Sequence, residues 1–328
     1  MRTDLAYLAH LPVEGDANRV VAAALAAIEL GGSVGPSTRV AVKPNFTYPV
    51  FKPGVTTSPR VLTALVAALS DYTKHIRIVE SDGGAHAWKA EDAFDGHGVP
   101  EICRLYGARA VNLSTQERTR VATTIARKEV AVELPRFLLE EVDFFITVPV
   151  PKVHVMTQVS LGFKNQWGCL PDVKRLREHP HFAEKVIAIN KLLRTRLGVF
   201  DGTYFLDRSG PMDGEAVRRD LLIAGEVGLA TRVCCELMGV DPAKVAHLRL
   251  ATTEGLMPHH VSANQVNLPL ESLRRQCRLQ RSLLNWVTLG VFHSSLATKL
   301  IYDSKFAAPI HDLLYLIRGR PRDIRPMW

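Results

Sequence analysis

Between Arg39 and Glu80 the sequence spells out one strand–loop–helix–strand unit, which restricts the fold more than any other stretch. Arg39-Val40-Ala41-Val42-Lys43 is a short apolar run that stops at Pro44, a residue that cannot continue a central ladder. A loop with three prolines and a glycine follows over 44–57. Ser58-Pro59 then supplies a hydroxyl N-cap and a proline suited to the first helical position. Val61, Leu62, Leu65, Val66 and Leu69 recur at helical spacing, and His75 to Glu80 is a second strand. Strands joined this way pair in parallel through a right-handed crossover.

The alternation continues. Residues 17–30 read as an Ala-rich helix closed by Gly31-Gly32, and 100–106 as a further helix. Residues 108–113 and 129–132 read as strands joined by an exposed, charged link over 116–128. A short amphipathic helix over 134–141 precedes a core strand, Asp143 to Val148. Then come a helix at 182–194, a strand at 197–200 ending in Asp201-Gly202, a strand at 221–224, a helix at 228–238 and a helical piece at 243–251. The class is α/β, a mainly parallel sheet flanked by helices. After about residue 265 the pattern turns helical and basic, so two parts are expected: an α/β domain over 1–265 and a basic helical C-terminal extension over 266–328.

Charge and cysteine narrow the function classes. The net charge is +8, and the stretch from Glu271 to Trp328 alone carries +6, so the main body is close to neutral and offers no general nucleic-acid surface. The five cysteines, at 103, 169, 234, 235 and 277, contain no CxxC pair, which argues against a disulfide framework, a zinc ribbon or a cysteine-bound iron–sulfur cluster. Cys234-Cys235 in a helix reads as one buried and one half-buried small hydrophobe. The N-terminus lacks a signal-peptide core, so a cytoplasmic location is expected. Ser282 to Tyr302 is apolar but too polar in its second half to span a bilayer; a buried or partner-facing helix, with contact to a membrane surface as the alternative, is expected there.

The richest stretch is Pro149 to Gly168, just past the core strand: within twenty residues it places Lys152, His154, Thr157, Ser160, Lys164, Asn165 and Trp167. His154 is the best general acid/base by intrinsic pKa. Lys164 either loses its proton through burial and acts as base or nucleophile, or keeps it and binds an anion. Asn165 is suited to an oxyanion. At the other strand ends, Lys43, Asn45, Thr56, Thr57 and Ser58 form a candidate anion cradle at a helix start, with an ordinary N-cap as the plain alternative. Glu80-Ser81-Asp82 with His86 reads first as turn chemistry. Asp82 and Asp201 are the weak candidates for a divalent metal. His179-Pro180-His181 looks exposed, and His259-His260 looks solvated. No GxxxxGK[ST] or GxGxxG occurs, so no standard nucleotide site is expected.

The order of short motifs carries a resemblance. KPN (Lys43 to Asn45), TTSP (Thr56 to Pro59), ESDGG, PVPKVH followed by FKNQWG, Asp201-Gly202, Gly210-Pro211, AGE (Ala224 to Glu226) and ELMG (Glu236 to Gly239) resemble the DUF362 family over about residues 38–257. The resemblance implies that Lys43, Asn45, Thr57, Pro59, Lys152, His154, Lys164, Asn165, Gly168, Asp201 and Gly202 keep the family pattern. It assigns no general reaction. Many relatives carry a ferredoxin-like cluster domain, which this cysteine pattern does not provide. The chain departs from the pattern at Val150, where relatives have lysine, and at Val227 and Arg232, where relatives show aspartates. A looser similarity, a lysine after a histidine in a glycine-containing loop, points to the N-terminal domain of lactate racemases.

The expected function is therefore an enzyme acting on a carboxylate or phosphate small molecule by proton-transfer chemistry: isomerisation, elimination or hydrolysis. Lys43, Asn45, Thr57, Ser58 and Asp82 would bind the ligand; His154, Lys164, Asn165 and Lys152 would carry catalysis. Two alternatives stand beside it: a non-catalytic ligand sensor or carrier with the same pocket, and an interaction protein that docks on a protein or membrane surface through residues 270–328.

Overall fold

A computed structural model describes residues 1–12, 16–84 and 87–304. His86 and the last five basic residues of the tail, Lys305 to Arg325, lie outside the described residues. The strands are β1 (Ala6–His10), β2 (Val40–Pro44), β3 (Ile76–Glu80), β4 (Arg109–Asn112), β5 (Arg118–Ile125), β6 (Lys128–Pro135), β7 (Phe144–Val148), β8 (Lys152–His154), β9 (Gln158–Ser160), β10 (Thr195–Asp207) and β11 (Glu215–Glu226). The helices are α1 (Ala17–Ala27), α2 (Pro59–Ser70), α3 (Ala90–Gly96), α4 (Val99–Tyr106), α5 (Arg136–Glu140), α6 (Gly162–Asn165), α7 (Phe182–Leu192), α8 (Val227–Met238), α9 (Ala246–Thr253), α10 (Leu270–Leu273), α11 (Leu283–Phe292) and α12 (Ser295–Asp303).

The main sheet runs β1-β11-β10-β7-β2-β3-β4, with the small β8–β9 pair attached to β10. Its centre is parallel: β10, β7, β2, β3 and β4 pair in one direction, and β11 and β1 close one edge antiparallel. Alternation along the strands splits the core in two. Val40 and Val42 face a cluster built from α1, α2 and α4, through Val21, Leu25, Leu62, Leu65 and Ile102. Ala41 and Phe145 face the other side, packed with Phe163, Ile187 and Val233 from α6, α7 and α8. The crossover from β2 through α2 to β3 is present, with Ser58 capping α2 through Val61 N–H.

Four sequence expectations need correction. Residues 118–125 are largely exposed as expected, but they are not a link between strands: they form β5, which pairs with β6 as a separate hairpin. Ala126 and Arg127 make its turn with positive φ of 48° and 66°, so the usual Asn or Gly signal is missing from the sequence. β10 also does not end at Asp201. It leaves parallel pairing with β7 at Gly198 and continues to Asp207 against β11, because Phe205 and Leu206 are still buried. Asp201 thus lies within a strand. Cys234 and Cys235 are both fully buried, and His179 is half-buried rather than exposed.

Candidate functional site

The parallel strands β2, β3 and β7 end side by side, and their last residues build the floor of a cavity. Lys43 on β2 reaches Glu80 on β3, Nζ to Oε2 2.6 Å, with both side chains almost fully buried. Glu80 also accepts from the N–H of Phe46 at 3.2 Å and of Ser81 at 3.0 Å, so each carboxylate oxygen is satisfied. A buried pair of this kind gains little net stability, but either partner left alone costs several kcal/mol. Gly168 passes over it. A Cβ there would stand 3.0 Å from Glu80 Oε1 and 3.1 Å from Lys43 Nζ, tighter than most side-chain contacts, so a larger residue would have to push the ion pair by a few tenths of an ångström. Glu80, and not Asp82, is the carboxylate of this floor.

Asn165 ties the floor together and is not a free oxyanion donor. Its Nδ2 is taken by Lys43 O at 3.0 Å and Thr147 Oγ1 at 2.9 Å, with Pro44 O at 3.3 Å. Lys152 lies beneath, its ammonium facing Val55 O at 2.7 Å, Asn45 Oδ1 at 3.3 Å and Thr47 Oγ1 at 3.3 Å. Burial, with Lys164 and Lys43 nearby, pushes its pKa down. Three oxygens for three N–H bonds favour the charged form, because a neutral amine would aim its lone pair at one of them.

The helix start does not cradle an external anion. Thr57 Oγ1 donates to Val148 O at 2.7 Å and accepts from Asn45 N–H at 2.8 Å. The N–H of Ser58, first in line at α2, donates to Asp201 Oδ2 at 2.7 Å. Asp201 is the anion of this helix start, and its other oxygen accepts from Thr203. Asp82 is turned away as well: Oδ1 accepts from Ala90 N–H and Asn112 Nδ2, both at 2.9 Å. Among the described residues no three His, Cys, Asp or Glu side chains gather as a metal site would need, at Asp82, Asp201 or elsewhere.

His154 and Lys164 meet at the cavity. His154 ends β8, and Lys164 sits in the short helix α6. The tight turn after β8 aims the N–H groups of Met156 and Thr157 at His154 Nδ1, at 3.2 and 3.4 Å. Nδ1 must therefore present a lone pair, and a neutral imidazole then carries its proton on Nε2. That Nε2 lies 3.1 Å from Lys164 Nζ. Nε2–H can donate to a neutral amine, whereas an ammonium would meet it proton to proton. The hydrogen-bond pattern selects an uncharged lysine. Burial and the positive charge of Arg175 act the same way and bring Lys164 down to about 7. His154 is likewise held neutral, by burial and then by Lys164.

These groups open into a cavity of about 320 Å³ lined by Lys43, Asn45, Glu80, His154, Lys164 and Asn165 with Ser160, Trp88, Trp167, Arg175 and His179. Lys152 lies just below it; Thr57, Ser58, Asp82 and Asp201 do not line it. Arg175 was not legible as a site residue. Its guanidinium holds only the backbone carbonyls of Asp82 (2.9 Å) and Asp172 (3.3 Å), with no carboxylate in ion-pair range among the described residues. The buried indole nitrogens of Trp88 and Trp167 also lack acceptors. A cation at the cavity with no ion-pair partner among the described residues suits a ligand with acceptor oxygens. Asn285, Thr288 and Phe292 of α11 complete the wall.

The sequence profile of the DUF362 family, described as a domain of unknown function, matches residues 40–235. The chain belongs to the DUF362 family. The match spans every residue of the DUF362 cavity except the α11 wall. The departures at Val227 and Arg232 fall outside the cavity: Val227 is buried, and Arg232 pairs with Glu236 at 2.7 Å. A curated relative is the thylakoid-associated protein sll1697 of Synechocystis, 26% identical over 142 residues, which cover 41% of this chain and 43% of that protein. The match therefore spans less than half of that relative's length. Among solved structures, the lactate racemase apoprotein of Thermoanaerobacterium thermosaccharolyticum is similar at a TM-score of 0.42 and 13% identity, over 76% of this chain and 56% of that one. A Thermotoga maritima protein is similar at 0.41 and 16% identity, over 65% and 56%.

Proposed function

We propose that this DUF362 protein is an enzyme that binds a small carboxylate or phosphate in the cavity and moves a proton on it with the neutral amine of Lys164. The observation that carries the reading is the hydrogen-bond chain from the Met156 and Thr157 N–H groups through His154 to Lys164. It favours an uncharged amine whose lone pair is held by His154 Nε2–H and becomes free for a substrate proton when that hydrogen bond opens, next to Arg175.

The roles follow from the contacts. Arg175, which lines the cavity, would face the anionic group of the ligand. Lys164 takes a proton from the carbon or hydroxyl beside that group. His154 fixes the amine and is not the free acid/base its intrinsic pKa suggests, since both ring nitrogens are engaged. The charges of Lys152 and Arg175 favour the negative charge that develops on the substrate, and a protonated Lys164 facing Nε2–H is readily discharged again. Reversible proton transfer of this kind underlies isomerisation and elimination.

The test is solvent exchange. A panel of 2-hydroxy acids, 2-oxo acids and phosphate esters in D2O, followed by proton NMR, should reveal one class whose C–H adjacent to the anionic carbon exchanges with solvent. Lys164→Ala should lower that rate by at least about 100-fold, the usual contribution of a general base, while circular dichroism stays unchanged. Exchange at the wild-type rate in Lys164→Ala would overturn the reading. Binding without exchange would make the protein a carrier.

A further inference from the structure

We infer that α11 and α12 form a docking face for an anionic membrane surface. Five of the eight large apolar side chains exposed among the described residues, Leu283, Trp286, Val287, Leu296 and Leu300, lie on these two helices, with Leu283 at 87% and Leu296 at 80% exposure; the other three are Val50, Phe51 and Leu105. A soluble surface rarely concentrates apolar side chains in this way without a partner.

The helix is two-faced at helical spacing. Leu283, Trp286 and Val287 point outward, while Asn285, Thr288, Leu289 and Phe292 line the Lys164 cavity and a neighbouring one of about 410 Å³. The inner face is thus already used, and the apolar outer face is surplus to the fold. From Ser272 to Tyr302 the sequence has five Lys or Arg and no Asp or Glu. Arg274, Arg275, Arg278 and Lys299 are exposed, and the Arg281 guanidinium lies 5.1 Å from the Trp286 ring centroid. An exposed Trp beneath the Arg281 guanidinium, exposed leucines on both helices and Lys299 on α12, in a stretch without acids, match the interface of an anionic bilayer: the ring and leucines enter the acyl boundary while the cations stay with the headgroups. Nucleic acid would use the cations and leave the leucines in water. No helix of the described residues is long and apolar enough to cross a membrane, so the contact lies on the surface. The inference stands apart from the chemistry proposed for Lys164.

The experiment is co-sedimentation of the full chain with phosphatidylcholine vesicles, with and without phosphatidylglycerol. The expected result is binding to the phosphatidylglycerol vesicles that falls steeply with added salt, with a blue shift of Trp286 fluorescence that Trp286→Phe removes. The exposed substitutions Leu283→Asp, Val287→Asp and Leu296→Asp, combined, should weaken binding at least about tenfold with an unchanged melting temperature. Equal binding to both vesicle types, no binding to either, or wild-type binding by the triple variant would overturn the inference. So would a solution dimer that the triple variant dissociates in the absence of vesicle binding, since the face would then belong to a second copy.

Discussion

The carboxylate of Asp201 accepts the backbone N–H of Ser58 at 2.7 Å, across 143 residues of sequence. The contact closes the start of α2 to outside anions and ties the helix to the middle of β10. Asp201→Ala leaves a buried donor without a partner, which should cost about 1–3 kcal/mol of stability. Denaturant unfolding measures it. If added phosphate restored the loss, the site would be an anion cradle after all; the expectation is that it does not.

Lys43 and Glu80 behave as one unit. Lys43→Met strands a buried carboxylate and Glu80→Gln strands a buried ammonium, each at about 3–5 kcal/mol. The double variant should recover much of either loss. A double-mutant cycle gives the coupling; additive losses would contradict a paired floor.

His247 shapes the acid limit of stability. It is buried edge-on to Phe182, and burial, helped by Lys164, pulls its pKa to about 3 from 6.5. Below pH 6.5 the unfolded chain takes up a proton that the folded chain refuses until about pH 3, so stability falls as pH drops through this window. The slope should approach about 1.4 kcal/mol per pH unit for this one histidine. Unfolding free energies at several pH values should show a shallower slope in His247→Leu.

Much of this was legible in the sequence. The β2–α2–β3 crossover and the Ser58 cap follow from local patterns and stand where the sequence places them. Lys43, Asn45, His154, Lys164 and Asn165 do converge, because parallel strands end at a common edge. What sequence could not give was which way side chains turn. Thr57, Ser58, Asp82 and Asp201 have the right chemistry, but their polar atoms bind backbone groups distant in sequence or in their own turns. Arg175 escaped notice because it lies in a charged stretch, KRLRE, where one arginine looks like another. β5 escaped because its turn residues carry no turn signal.

His154 should set the proton affinity of Lys164. His154→Gln removes the Nε2–H donor that stabilises the free amine, so the Lys164 pKa should rise and its reactivity at neutral pH should fall. The rate of labelling by an amine-reactive acylating reagent, mapped to Lys164 by mass spectrometry, reads this directly. Faster labelling in the variant would count against the hydrogen-bond assignment.

The account rests on a Lys164 that is substantially uncharged at neutral pH. With lysine labelled by 13C at Cε, the Lys164 signal, assigned through Lys164→Arg, can be titrated by NMR. The account predicts a midpoint at about 7, apart from the bulk of the lysines. A midpoint near the ordinary 10.5 would mean that Lys164 is an ammonium facing His154, and the proposed base would be gone.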